Sequence, residues 1–242
     1  MASIGRMIPT PSDPSPPGAD PAWRRLHREI LGCTRCLKSG HIPFASPMFQ
    51  GAPGQRLLLV GQAPGERELG PRKPFAGRSG AELARWMTRA GFDGDDHFRS
   101  LTYITSVTKC FPGKALSGGG DRRPSGTEVA QCRPWLDGQL ELLRPRLLIL
   151  VGGLAHAAFE ATRGRGLDEL VGLALDRDGV DHAERVLRDG RLPHNREPWA
   201  VPLPHPSGAS RWLNAPTHRE RLDRALQVLS VMWPVLATQR SI

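Results

Sequence analysis

The chain has 242 residues, 39% of them hydrophobic, with 33 Lys and Arg against 24 Asp and Glu, a formal net charge of +9 and a pI near 10.4. This length supports one sizeable core or at most two small ones, and no run approaches the ~18 apolar residues of a membrane helix, which argues against a spanning protein. The basic excess points to a polyanionic partner, nucleic acid first, although arginine-favouring codon usage would also raise it.

In chain order, residues 1–20 are proline-rich and poor in apolar side chains, and are expected to form a disordered tail. They lack the apolar stretch of a signal peptide, so a cytoplasmic location is expected. The remainder, 21–242, reads as a single domain. A helix starts near Pro21, with Trp23, Leu26, Ile30 and Leu31 on one face, and stops around Gly32. Arg56–Val60 is a short apolar run ending in Gly, as a strand buried on both faces would be. Ser79–Ala90 predicts a helix with Leu83, Trp86 and Met87 inward, and Leu101–Val107 predicts a second strand. Thr127–Leu143 predicts a long helix, and Leu147–Val151 a third strand followed by Gly152-Gly153 and a helix over Leu154–Thr162. Residues 163–198 are polar and weakly patterned, and read as an insertion with one short helix near Val180–Leu187. Trp199–Leu203 predicts a fourth strand and 217–233 a final amphipathic helix. Strands alternating with helices predict a three-layer α/β/α sandwich around a four-stranded parallel sheet. In such sheets ligands sit at the carboxyl ends of the strands.

Several motifs fall at those ends. Gly61-Gln62-Ala63-Pro64-Gly65-Glu66 follows the first strand, then comes Pro74-Phe75-Ala76-Gly77, and His205-Pro206-Ser207 follows the fourth strand. Cys33 and Cys36 form a C-x-x-C pair, Cys110 follows the second strand, and Cys132 lies in the helix after it. In order and placement these signals resemble the iron–sulfur branch of the uracil-DNA glycosylase superfamily, usually called family 4, with the related cross-linking enzymes. The resemblance covers about residues 25–230, leaving out the tail and the 163–198 segment.

Four thiolates suit soft iron, and spacing alone leaves a four-cysteine zinc site open. The resemblance implies a [4Fe–4S] cluster on Cys33, Cys36, Cys110 and Cys132, with a structural role in ordering the Cys110–Cys132 loop against DNA. It also implies base excision repair by a monomer on DNA containing deaminated bases. Cleaving an N-glycosidic bond creates a cationic sugar and an anionic base, and the base must first leave the helix. In that scheme Phe75 is the stacking platform. Glu66 and Glu68 are the acids in reach of sugar and water, with Glu68 the better placed. The backbone of Gln62 and Ala63 contacts the base carbonyl, and His205 hydrogen-bonds the oxygen of the leaving base. Arg78, Arg122, Arg123, Ser207 and Arg211 face phosphates, and Leu213 fills the gap left by the flipped base.

Three positions depart from the family pattern: Gln62 replaces a Glu, Leu69 an Asp and Ser106 an Asn. One hydroxyl cannot replace both hydrogen bonds of an amide. The expected consequence is slower uracil cleavage or broader specificity, towards hypoxanthine and xanthine. No histidine follows Arg122-Arg123 and no lysine sits as a Schiff-base nucleophile, so neither covalent capture nor a lyase step is expected. Two other functions remain open: a DNA-binding relative that does not cut, and an unrelated zinc protein using the four cysteines.

Overall fold

The computed structural model describes residues 19–116, 120–194, 196–207 and 211–238. Residues 1–18 of the tail expected over 1–20 lie outside these residues; Ala19 is buried and Asp20 caps the first helix.

Four strands, β1 (Leu57–Gly61), β2 (Thr102–Ser106), β3 (Leu147–Val151) and β4 (Trp199–Leu203), form one sheet in the order β2-β1-β3-β4. All pairings are parallel, with Leu57 opposite Thr102 and Leu147, and Leu147 opposite Trp199. Every strand residue is buried. Side chains alternate between faces along a strand, and both faces here are covered, which suits the unbroken apolar runs of β1 and β3; in β2 the buried Thr105 and Ser106 hydroxyls are hydrogen-bonded instead. Leu57, Leu59, Ile104, Ile149 and Val201 point into one core; Leu58, Val60, Tyr103, Leu148 and Leu150 point into the other.

The first face is covered by α4 (Arg78–Arg89), α5 (Gly94–Leu101), α9 (Ala183–Asp189) and α10 (Pro216–Thr238), through Trp86, Phe98, Val186 and Leu229 among others. The second is covered by α1 (Pro21–Leu31), α6 (Gly126–Leu143) and α7 (Gly153–Ala157), through Trp23, Leu136 and Leu154. This is the expected three-layer sandwich. Local chemistry starts these helices where the sequence places them. Asp20 caps α1 by accepting from the Ala22 N–H at 2.7 Å, with Pro21 at the first position. Ser125 and Glu128 form a reciprocal capping box on α6.

The expected final helix is longer than its periodicity implied, and the helix after β3 is shorter, closing at Ala157 with a 3-10 turn at Glu160–Thr162. Three short helices add to the expected set: α2 (Arg35–Lys38), α3 (Glu66–Leu69) and α8 (Leu167–Leu170). They are single turns, too short for periodicity to register, and α5 is a further addition.

Residues 163–198, read as an insertion, contribute side chains to both cores. Val171, Ala174, Ala183 and Val186 are fully buried in one core, and Leu170 and Leu175 in the other. Leu175 exchanges both backbone hydrogen bonds with Ala200 of β4, at 2.9 and 2.7 Å. The segment therefore covers the exposed edge of β4 and packs on both faces beside it. Gln50 covers the β2 edge in the same way, bonding Ile104 at 2.9 and 2.7 Å. Each edge strand thus carries one isolated antiparallel bridge.

Candidate active site

The carboxyl ends of β1 and β3 are neighbours, since Val60 pairs with Leu150. The strand order turns outward on either side of this pair, which makes it the switch point where a doubly wound sheet opens a crevice. Two glycines end these strands, Gly61 and Gly152, and each is backed by one of the expected site side chains. A Cβ on Gly61 would stand 3.0 Å from Cζ of Phe75, and a Cβ on Gly152 would stand 3.4 Å from His205. The ring and the imidazole therefore lie at the ends of adjacent strands.

Phe75 is held in an unusual backbone conformation, with φ of 56°. Such a left-handed residue, when it is neither Gly nor Asn, is held only by its surroundings. Here Nη1 of the buried Arg99 donates to the Pro74 carbonyl at 3.1 Å. Gly80, in the first turn of α4, lets the Phe75 carbonyl lie against it: a Cβ there would come within 1.6 Å of that oxygen.

Glu68 lies in α3 and is half-buried. Burial raises its pKa to about 7; the backbone of Phe75 and Gly65 and the charge of Arg99 oppose the rise, and the nearby Asp121 adds to it. Glu66, by contrast, is exposed, and its carboxylate pairs with Lys114 at 2.7 Å. The two glutamates are thus placed differently: one faces the Phe75 loop, the other faces a surface cation.

Two neighbours escaped the sequence reading. Asp121 accepts from the Glu66 N–H at 3.1 Å and pairs with Lys114 at 3.0 Å. Lys114 and Asp121 thereby tie the Gly65–Glu68 turn to the chain that follows Cys110. No local motif marks Asp121; only the fold carries it beside Gly65.

His205 is half-buried, and burial lowers its pKa, favouring the neutral ring. Its Nδ1 accepts the Ser207 N–H at 3.2 Å. A neutral imidazole that accepts at Nδ1 carries its hydrogen on Nε2, so the donor is the far nitrogen.

The other expected base contacts are placed as follows. Ala63 and Gln62 are half-buried after β1, and the Gln62 carbonyl accepts from the Thr108 N–H at 3.2 Å. Ser106 ends β2 opposite Gly61, but its hydroxyl donates to the Thr108 carbonyl at 2.8 Å. The hydroxyl is therefore turned back onto its own chain.

Among the expected phosphate contacts, Arg78, Arg123 and Arg211 are exposed and Ser207 is half-buried. Arg122 is employed otherwise than expected. Its guanidinium grips the buried Glu128 with both nitrogens, at 2.7 and 2.8 Å, and donates to the His41 carbonyl at 2.6 Å. It joins the start of α6 to the loop after α2 instead of facing outward. Leu213 lies in a 3-10 turn over Arg211–Asn214 and packs partly against the first-face core.

The four cysteines come together. Cys33, Cys36, Cys110 and Cys132 line one small pocket between α2, the loop after β2, and α6. Burial raises the pKa of Cys36 to about 11 and of Cys110 to about 12. Two donors nevertheless point at sulfur: the Lys109 N–H reaches Cys132 Sγ at 3.2 Å, and Trp135 Nε1 reaches Cys33 Sγ at 3.3 Å. Thr108 lines the same pocket, and its buried hydroxyl has no protein partner. Among the described residues, no three His, Cys, Asp or Glu side chains converge on a single ion-sized point.

A parallel sheet covered on both faces, with an aromatic ring and an imidazole at its switch point, defines an α/β protein of the doubly wound class. The model of the uracil DNA glycosylase superfamily matches residues 48–229. The chain belongs to that superfamily. It is 31% identical over 151 residues to a type-4 uracil-DNA glycosylase of Pyrobaculum aerophilum, covering 61% of this chain and 69% of that protein. It is 30% identical over 129 residues to a type-4 uracil-DNA glycosylase of Sulfurisphaera tokodaii, covering 53% of each. A type-5 uracil-DNA glycosylase of Pyrobaculum aerophilum matches over 56 residues at 43% identity, 23% of this chain and 22% of the other. The stretch shared with the Sulfurisphaera protein is thus about half of either chain.

Proposed function

We propose that the protein is a monofunctional DNA glycosylase that hydrolyses the bond between uracil and deoxyribose in DNA, acting as a monomer in the cytoplasm as part of base excision repair. The observation that carries this reading is the placement of Phe75 against Gly61 and of His205 against Gly152, at the ends of the adjacent strands β1 and β3. It sets the platform for an everted base beside the donor to its oxygen, with Glu68 on the turn between β1 and Phe75.

In this reading the flipped base stacks on Phe75 while the backbone after Gly61 meets its carbonyl edge. His205 donates from Nε2 to the base oxygen as negative charge builds there, and a neutral ring is sufficient for that. Ionised Glu68 faces the developing positive charge on the sugar and takes a proton from the attacking water. Arg78, Arg123, Arg211 and Ser207 hold phosphates, and Leu213 enters the gap in the stack. Glu66, tied to Lys114, shapes the loop rather than the reaction.

The cysteine pocket fits a [4Fe–4S] cluster. The N–H donors on Cys33 and Cys132 and the unpartnered Thr108 hydroxyl are groups that would hydrogen-bond cluster or thiolate sulfur. Bound there, the cluster would tie together the α1–α2 connection, the loop after β2, and α6. It takes no part in the steps above.

The Ser106 hydroxyl, committed to Thr108, supports a base pocket less selective for uracil than an asparagine would make it. Hypoxanthine and xanthine are therefore further substrates in this reading. The test is a panel of oligonucleotides carrying each base, incubated with the protein and then cleaved with alkali at abasic sites. Release of uracil is expected. If no base is released while the uracil strand is bound tightly, the protein is a binding relative instead. In the same panel, Ser106→Asn is expected to raise the uracil-to-hypoxanthine ratio about tenfold, the worth of one added buried hydrogen bond. An unchanged ratio refutes the specificity account. Phe75→Ala is expected to lower kcat/KM roughly 10- to 100-fold, the equivalent of one lost base stack of about 1–3 kcal/mol. A smaller loss than Phe75→Tyr produces would remove Phe75 from the base platform.

A further inference from the structure

The turn that carries Leu213 is clamped from the segment over 163–198. Trp212 Nε1 donates to Oδ1 of Asp168, at 2.6 Å. His218 Nε2 lies 3.0 Å from the same oxygen, and His218 Nδ1 lies 2.7 Å from the Trp212 carbonyl. The indole and imidazole stack face to face, with centroids 4.2 Å apart and planes within 2°. Arg219 adds donations to the carbonyls of Leu213 and Asn214, each at 3.2 Å. The turn is therefore held by its own helix, α10, and by one carboxylate from α8.

We propose that Asp168 is a positioning residue that fixes the Arg211–Asn214 turn, so that Leu213 enters duplex DNA without first being ordered. This rests on the glycosylase reading above. The physical case is one of scale. The Asp168 side chain is 66% exposed, and an exposed carboxylate of this kind contributes little to global stability. It nevertheless joins two rings whose stacking sets the direction of the residue next to them. A wedge that is already ordered spends no binding energy on ordering when it meets the duplex. The demand is specific to duplex: a flipped base leaves a gap between stacked pairs, whereas a single strand offers no gap to fill. The segment whose role the sequence left open thus serves the site through Asp168, besides covering β4.

The test compares kcat/KM on a uracil-containing duplex and on the same strand alone, for wild type, Asp168→Ala, Asp168→Asn and Trp212→Phe. Asp168→Ala is expected to lose about tenfold on duplex and less than about twofold on the single strand. Asp168→Asn keeps an oxygen for the indole N–H and is expected to recover most of the duplex rate. Trp212→Phe keeps a ring and loses the donor, and should fall between, which also covers the case of an alanine variant that folds poorly. Equal losses on both substrates, or none, overturn the proposal. If wild type releases uracil from neither substrate, the glycosylase reading has failed, and the clamp is judged by amide exchange over 211–214. Faster exchange in Asp168→Ala upholds the clamp, and unchanged exchange refutes it.

Discussion

Replacing Glu68 by glutamine is expected to slow uracil release about 10²- to 10³-fold, within the range for loss of a general base. The same change is expected to make the protein more stable above pH 7. Both effects follow from one carboxyl group. Burial holds its pKa near 7 in the folded chain, against 4.5 as the usual value, with Asp121 pushing the same way and Arg99 opposing. As a base it works only when ionised, so the wild-type rate should climb with pH through about 7 and then level off. The glutamine variant should lack that limb.

For stability the sign is reversed from that of an ordinary ion-paired acid. Between pH 4.5 and 7 the folded chain keeps a proton that the unfolded chain has released. Stability from this group is therefore full below about 4.5, falls as pH rises to about 7, and stays low beyond. At pH 8 the glutamine variant should gain about 1–2 kcal/mol, a figure already reduced for the partial exposure of the group. Rate–pH profiles and urea melts at pH 5 and pH 8 measure both. A slower variant that keeps the wild-type pH limb, or that is less stable at pH 8, would take the base role from Glu68.

Replacing Cys110 by serine is expected to strip iron and acid-labile sulfide from the protein, bleach the broad absorption near ~400 nm, and lower the unfolding midpoint by about 10 °C. The size of the shift corresponds to about 4 kcal/mol for a chain of this length. Cys110 follows β2, Cys132 sits in α6, and Cys33 and Cys36 flank the start of α2, so a shared cluster ties segments about 100 residues apart. Without a cation these buried thiols hold their protons, as the raised values for Cys36 and Cys110 indicate. The cluster would supply the charge that makes four thiolates tolerable there. Iron and sulfide assays with thermal melts of the purified protein decide it. Wild-type protein with zinc and no iron, or a serine variant that keeps both its colour and its midpoint, would refute the cluster reading.

The two substitutions probe different parts of the fold, and the sequence exposed those parts unequally. The grouping of the four cysteines was implied by the family resemblance, which depends only on their order along strands and helices, and that order survives in one dimension. Glu68 and Phe75 could be named from the loop, but not the way Phe75 is held. It adopts a left-handed backbone, and Arg99, from α5, holds Pro74 in place. Arg122 looked like a phosphate contact because a loop arginine usually faces solvent. The buried Glu128, six residues on, claims it instead.

What the sequence determined by itself is the layered architecture. Uninterrupted apolar runs at Leu57–Val60 and Leu147–Val151 can only be strands covered on both sides, and the 3.6-residue spacing of Leu83, Trp86 and Met87 can only be a helix face. These are repeating local patterns, and each residue votes for the same element. The tertiary structure alone decided where single polar groups went: Asp121 beside Gly65, the Ser106 hydroxyl onto Thr108, and Asp168 onto Trp212. It also packed 163–198 beside β4: Leu170, Val171, Ala174 and Leu175 split between two cores and so show no single periodicity. A hydrogen bond depends on two atoms meeting at about 3 Å, and nothing in the spacing of residues along a chain encodes that meeting.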